Sequence, residues 1–419
     1  MAVVASGTAM AQGITIAFSP VITRLYGPEA FGMLGTFMAL VAVVTPIAAL
    51  TYPVAIVLPK NDSEASGIAR LSMLISFYIA AFFLFLILIG GSWLVEILQV
   101  GEIKYFILLI PLVMVFAAWL QVNQQWLIRK QIFKVKSKVA VLHSLVVNGV
   151  KSGVGLYAPL GTVLIAIAAA GKGFHAFMLN VGLKKSTGNY NFKASSSDNL
   201  SLIYLAKKHK DFPFYRAPLQ FVNNIAVSIP VLILSIFFGP AQAGFFVLCK
   251  NILNKPADLI GRSVADVFYP HVTQKANDQK EIYPSVLKAT ISLSFLGIVV
   301  FTPFVIWGPT IFGFIFGSEW TSAGEYARWV SIWMFFVLTD KPSIRALPVL
   351  SAQKFLLVIT LLARFTGILL MIVSYYLFKN DIIIVATVCL TTALFTLLLI
   401  VITLKKSKNF DIINLSIRT

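Results

Sequence analysis

The stretch KKSTGNYNFKASSSDNLSLIYLAKKHKDF, residues Lys184 to Phe212, decides how the rest of the chain is read. It is the only long polar run, and it carries Lys184, Lys185, Lys193, Lys207, Lys208 and Lys210. Long apolar segments dominate on both sides of it. With 419 residues, 58% hydrophobic, 12% charged and a mean hydropathy of +0.87, the chain has too few charges to clothe a soluble globule, which runs near ~25% charged. Apolar runs long enough to cross a ~30 Å hydrocarbon core recur throughout. The chain therefore reads as an all-α polytopic membrane protein.

Twelve spans are expected, at 3–23, 33–58, 68–90, 105–127, 137–157 and 159–182, then 214–238, 242–270, 286–307, 326–348, 355–378 and 382–404. An even number places both termini and the connector on one side. The net charge of +18 follows that side. Arg129, Lys130, Lys134, Lys136 and Lys138, the connector lysines, and Lys405, Lys406 and Lys408 all face it, whereas Arg24, Lys104, Arg328 and Lys379 fall in the opposite loops. By the positive-inside rule the connector side is cytoplasmic. The basic excess is then a topology signal, and no nucleic-acid partner is expected.

The halves echo each other. Tyr26-Gly27-Pro28-Glu29-Ala30-Phe31-Gly32 follows the first span, and Phe238-Gly239-Pro240-Ala241-Gln242-Ala243-Gly244 follows the seventh, 212 residues later. Tyr52-Pro53 near the end of span two is matched by Tyr269-Pro270 near the end of span eight. This predicts a parallel internal repeat of two six-helix bundles. The organisation is 1–183 for the N-terminal bundle, 184–212 for the basic connector, 213–404 for the C-terminal bundle and 405–419 for a tail.

Polar groups within spans normally face a bundle interior or an aqueous cavity. Thr8, Gln12, Thr15, Ser19 and Thr23 lie within an arc of about 80° at 100° per residue. Span seven offers Arg216, Gln220, Asn223, Asn224 and Ser228, and span five Ser144, Asn148, Lys151 and Ser152. Helix packing through small polar groups is an equal reading for the Ser and Thr positions. Span eight is richest, with Lys250, Asn254, Asp258, Arg262 and Asp266 at i+4 steps, Lys255 beside them, and Pro256 expected to kink the helix. Arg364 of span eleven reaches a similar depth. Asp258 and Asp266 serve either as partners of these cations or as carriers of a coupling ion. Cations outnumber acids, and Arg and Lys are the side chains that hold phosphate.

Several chemistries are excluded or weak. Gly90-Gly91 and Gly171-Gly173 are not phosphate loops, because no strand precedes them and no Gly-Lys-Ser/Thr follows. Cys249 and Cys389 make no disulfide framework. His143, His175, His209 and His271 lack metal spacing. Asp62-Ser63-Glu64 reads as a solvated turn. No cofactor and no metal are expected.

Pro20-Val21-Ile22-Thr23-Arg24-Leu25-Tyr26-Gly27-Pro28 with Phe31-Gly32, Gln125-Trp126-Leu127-Ile128-Arg129-Lys130 with Phe133-Lys134, and Ile260-Gly261-Arg262 with Val267-Phe268-Tyr269-Pro270 stand in order along the whole chain. In them the sequence resembles the polysaccharide-transporter branch of the multidrug/oligosaccharidyl-lipid/polysaccharide exporter superfamily, in particular Wzx-type O-antigen flippases. It departs from that family in that Met1 lies nearly inside the first span, so a translation start further upstream is expected. The resemblance implies two lobes around a cationic cavity in a bacterial inner membrane. The implied activity is not enzymatic: it moves undecaprenyl-diphosphate-linked oligosaccharide between leaflets. The implied partners are that lipid-linked oligosaccharide, membrane lipids, and polysaccharide polymerase and chain-length proteins. On this reading Lys151, Lys250, Lys255, Arg262 and Arg364 attract the diphosphate and Arg24 and Arg216 lie nearer the cavity mouths, while Gln220, Asn223 and Asn254 serve the sugar. Lipid II flippases and drug exporters share the architecture, though a cation exporter should present net acidic spans. A membrane glycan polymerase, ligase or acyltransferase is the alternative from another class; short outer loops and the lack of a clear catalytic His speak against it.

Overall fold

The computed structural model describes residues 2–97, 101–187 and 201–416. In chain order its helices are α1 (Ala2–Ala48), α2 (Asp62–Ile97), α3 (Ile110–Arg129), α4 (Phe133–Gly155), α5 (Gly161–Thr187) and the short α6 (Leu202–Lys208). They continue with α7 (Ala217–Phe238), α8 (Pro240–Asn277), α9 (Tyr283–Phe316), α10 (Thr321–Thr339), the short α11 (Lys341–Ala346), α12 (Gln353–Phe378) and α13 (Asp381–Ser416). Among the described residues there is no strand. That is the expected outcome where lipid offers no partner to a backbone N–H or C=O.

Eight of these helical stretches are apolar and long enough to cross a membrane. The first of them is broken in the middle: Gly27 has φ 64 and ψ 173, and Pro28 restarts the helix. α4, α8 and α10 are more polar but of membrane length, at 23, 38 and 19 residues. Together they give the twelve spans that the hydropathy pattern predicts. Pro256, expected to kink span eight, stands within α8, which stays helical through it and through Pro270. A non-helical interior residue occurs instead in α9, at Trp307 between Pro303 and Pro309.

The chain divides into two compact units, Met1–Gly244 and Phe245–Thr419. In the first, α7 packs along α1. The two copies of the repeated motif make this contact. Gly239 has φ 97 and ψ 174, close to the backbone of Gly27, and both conformations lie where a side chain is strained. A Cβ on Gly32 would overlap the carbonyl oxygen of Pro240, and a Cβ on Gly244 would overlap that of Pro28. The contact is reciprocal, and only glycine fits either place. Further along the same seam, Thr36 donates to Ser235 at 2.9 Å, Ser228 to Ala39 O at 3.2 Å and Asn224 to Ala42 O at 2.7 Å.

The apolar core of this unit lies in two parts. One gathers Trp126, Leu127, Val122 and Ile68 on the connector side. The other gathers Phe37, Val41, Met114 and Ile165. Asp62 and Glu64, read from sequence as a solvated turn, are ion-paired. Asp62 takes Arg129 Nε at 3.0 Å and also pairs with Lys130. Arg129 further donates to Ile56 O at 3.1 Å and Lys60 O at 3.2 Å, tying down the turn before α2. Glu64 holds Lys208 at 2.5 Å.

Of the connector, 188–200, with Lys193, lie outside the described residues. Its second part is docked. Leu205 of α6 is buried over Gly67 of α2, Tyr52 donates to Ala206 O at 3.1 Å and Thr51 to Phe212 O at 3.1 Å. α6 is thus an integral part of the first unit.

In the second unit α9 and α10 form a tight hairpin, and α13 packs against α10 and α12. Tyr326 of α10 donates to Asp381 at the start of α13 at 2.6 Å. The first turn of α9 is capped from a distance, with Asp411 of α13 accepting from Ile282 N at 2.9 Å and Tyr283 N at 2.8 Å.

Candidate functional site

The cationic face predicted for span eight lies in the second unit. Lys250 of α8 is half-buried, and its Nζ stands 5.9 Å from the centre of the Phe246 ring and 5.9 Å from that of Trp333 on α10. Both are within cation–π reach. Arg364 of α12, also half-buried, lies near enough for its positive charge to oppose that of Lys250. Two helices distant in sequence thus each carry a cation, the one on α8 beside aromatic rings. Holding like charges close is unfavourable in a weakly polar medium. An anion placed beside both reverses the sign, and guanidinium and ammonium groups are suited to phosphate oxygens.

One turn along α8, Asn254 donates its side-chain amide to Asp258 Oδ2 at 3.1 Å. Asp258 thus accepts from a neutral amide. Lys255 is half-buried. The side chains of Arg262 and Asp266 lie outside the described residues. Beside Lys250, Cys249 is buried and donates its thiol to Ala323 O at 2.8 Å.

In the polar stripe of span one, Thr15 serves helix packing. Thr15 Oγ1 and Ser144 Oγ are 3.0 Å apart, Ser144 donates to Ala11 O at 2.9 Å, and Asn148 reaches Ser144 Oγ at 3.2 Å. These groups close a seam between α1 and α4. Ser19 and Thr23 bond back to their own helix, at Ile16 O and Pro20 O. Lys151, one turn beyond Asn148, is half-buried; its carbonyl accepts the Tyr26 hydroxyl at 2.9 Å, and no carboxylate among the described residues pairs with its amine.

The amide-bearing face of span seven divides. Asn224 and Ser228 are taken up by the α1 backbone, whereas Asn223 is exposed and Gln220 half-buried. Arg216 is exposed, with its guanidinium 6.0 Å from the Phe212 ring. Arg24 is exposed on α1.

Two groupings escaped the sequence reading. Trp333 and Phe246 beside Lys250 carry no pattern of their own, since one comes from another helix. His143 and His175, which looked scattered, stack with ring centres 4.3 Å apart, and His143 Nε2 lies 3.0 Å from Gly171 O. A signal was present there: α4 and α5 are joined by a short turn, and the two histidines stand equally far from Pro159 within it. Among the described residues no group of three or more potential metal ligands is present.

Over residues 21–325 the chain matches the sequence model of a family described as polysaccharide biosynthesis protein. Among solved structures, a multidrug resistance MATE family transporter of the MOP superfamily, in an inward-facing conformation, aligns over 95% of this chain and 95% of its own at 12% identity, with a TM-score of 0.72. The lipid II flippase MurJ in an inward closed conformation aligns over 99% of this chain and 91% of its own at 12% identity, with a TM-score of 0.74. No curated protein matches the sequence. At such identities the likeness is one of fold.

Proposed function

The chain belongs to the polysaccharide biosynthesis protein family, and from that membership we propose that it is a flippase for undecaprenyl-diphosphate-linked oligosaccharide, an O-antigen or capsule repeat unit. It works by alternating access in a bacterial inner membrane, with both termini cytoplasmic, and makes or breaks no covalent bond. The observation that supports this reading is Lys250 set against Phe246 and Trp333 inside a membrane-spanning bundle, with Arg364 on α12 of the same unit. A charge held within the span of a membrane is costly, and such groups mark substrate paths. Two cations from different helices, with aromatic rings beside one of them, form a receiver for a diphosphate. Lys255 and Arg262 follow Lys250 along the sequence of α8 and add to its positive charge. In the first unit, Lys151 supplies a cation, and Gln220 and Asn223, left over from the α1 seam, are available to sugar hydroxyls. Asp258 or Asp266 is the candidate for ion coupling, and collapse of the proton gradient should then slow flipping.

The test replaces Lys250 and Arg364 together with Ala in a host whose own copy is deleted. Surface polysaccharide should be lost at unchanged protein abundance. Wild-type polymer from a stably expressed double variant overturns the assignment. In the deletion strain, lipid-linked single repeat units should collect on the inner leaflet; collection on the outer leaflet would point to a polymerase.

A second reading, a lipid II flippase, is favoured by the fold shared with MurJ. Complementation of a strain lacking peptidoglycan-precursor flipping separates the two.

A further inference from the structure

α2 and α3 of the first unit run antiparallel, and between them lies a cavity of about 510 Å³ with an almost wholly apolar lining. Its walls include Met73 and Phe77 of α2 and Leu112, Phe116 and Trp119 of α3. Arg70 of α2 also lines it, one turn nearer the connector side than Met73. The volume falls in the range of about 300–1,000 Å³ usual for small-ligand sites.

The surroundings show what medium this groove faces. Phe77 is 56% exposed, Leu112 47% and the neighbouring Tyr78 75%, on helices that are apolar and long enough to span a membrane. Large apolar groups exposed on a spanning helix face acyl chains. Arg70 is exposed on the same stretch. It stands about 12 Å along α2 from Asp62, at ~1.5 Å per residue. This depth allows its long side chain to reach the connector-side headgroup layer while its stem lies on the apolar wall. Phe77 lies about 10 Å deeper along the same helix. A guanidinium therefore marks the headgroup end of a groove that has only hydrocarbon at its other end.

We infer that this groove is a binding site for one anionic phospholipid of the connector-side leaflet, with its phosphate at Arg70 and an acyl chain along Met73, Phe77 and Trp119. Shape and chemistry agree. An acyl chain needs a narrow, apolar, laterally open slot, and a phosphate needs a planar donor fork at the interface. The proposal does not depend on what the protein transports.

The test is native mass spectrometry of the full chain in detergent, titrated with palmitoyl-oleoyl phosphatidylglycerol or with phosphatidylcholine of the same chains. The wild type should retain one phosphatidylglycerol at least about fivefold more readily than phosphatidylcholine. Arg70→Gln should equalise the two lipids, and Arg70→Lys should keep most of the preference. Met73→Trp, which fills the slot, should remove the bound lipid whatever its headgroup. Equal retention of both lipids by the wild type overturns the proposal, and so does a headgroup preference that survives Arg70→Gln. Displacement of phosphatidylglycerol by an equal concentration of undecaprenyl phosphate also overturns it, since the groove would then belong to a polyprenyl chain. Should Met73→Trp fail to fold, the Arg70 pair decides alone.

Discussion

Gly32 of α1 rests on the carbonyl of Pro240, and Gly244 of α8 rests on the carbonyl of Pro28, so the two copies of one sequence motif seat each other. Neither oxygen can yield, because each belongs to helix backbone. Gly32→Val and Gly244→Val should each lower thermal stability in detergent by an amount corresponding to about 1–3 kcal/mol, as overpacking does. Gly13→Ala and Gly149→Ala, where a Cβ meets nothing within 4 Å, should leave the melting temperature unchanged. Equal melting of all four variants would show that the contact carries no strain.

Leu205 and Glu64 hold α6 against α2 by different means. Leu205 is fully buried, and Leu205→Ala should cost about 2–5 kcal/mol of local stability through the cavity it leaves. Glu64 pairs with Lys208, whose side chain is 43% exposed, so Glu64→Gln should cost far less than Leu205→Ala. Limited proteolysis near residues 201–212 checks the order: rapid cleavage in Leu205→Ala and near-wild-type resistance in Glu64→Gln.

Tyr326 joins α10 to α13 through Asp381 at 2.6 Å, a bond from a buried hydroxyl to a carboxylate. Tyr326→Phe should lose about 1.5–3 kcal/mol, the range for hydrogen bonds to charged groups. Asp381→Asn, which keeps an acceptor, should lose less. Thermal melts of the two single variants and the double variant give the coupling between them; additive losses would deny the bond its role.

Asn148 sits in the α1–α4 seam with Ser144 and Thr15. Asn148→Ala should destabilise by about 0.6 kcal/mol, the average for such bonds between membrane helices. Transport should persist if the seam only packs. A transport loss well beyond the fall in protein level would return these groups to the substrate path.

Lys250 is expected to act by charge, in contact with Trp333 and Phe246. Lys250→Met should reduce polysaccharide output at least about tenfold at constant abundance, and Lys250→Arg should restore a large part of it. Output that follows protein abundance across both variants would assign Lys250 a packing role.

The membrane class, the twelve spans, the connector and the motif repeat were all legible in residues close together along the chain. Hydropathy sums over a window, and Gly27-Pro28 and Gly239-Pro240 write their backbone conformations locally, because a positive φ followed by proline leaves few alternatives. The tertiary structure decided what meets what. It made Asp62 and Glu64 ion-pair anchors where the sequence suggested a solvated turn. It capped α9 with Asp411, more than a hundred residues away. It spent Thr15 and Ser144 on packing, while bringing Trp333 to Lys250 and His143 to His175. The reason is physical: helix formation in lipid is settled by backbone hydrogen bonds within each segment, whereas the partner of a polar side chain is settled by which helices pack together and in what rotation.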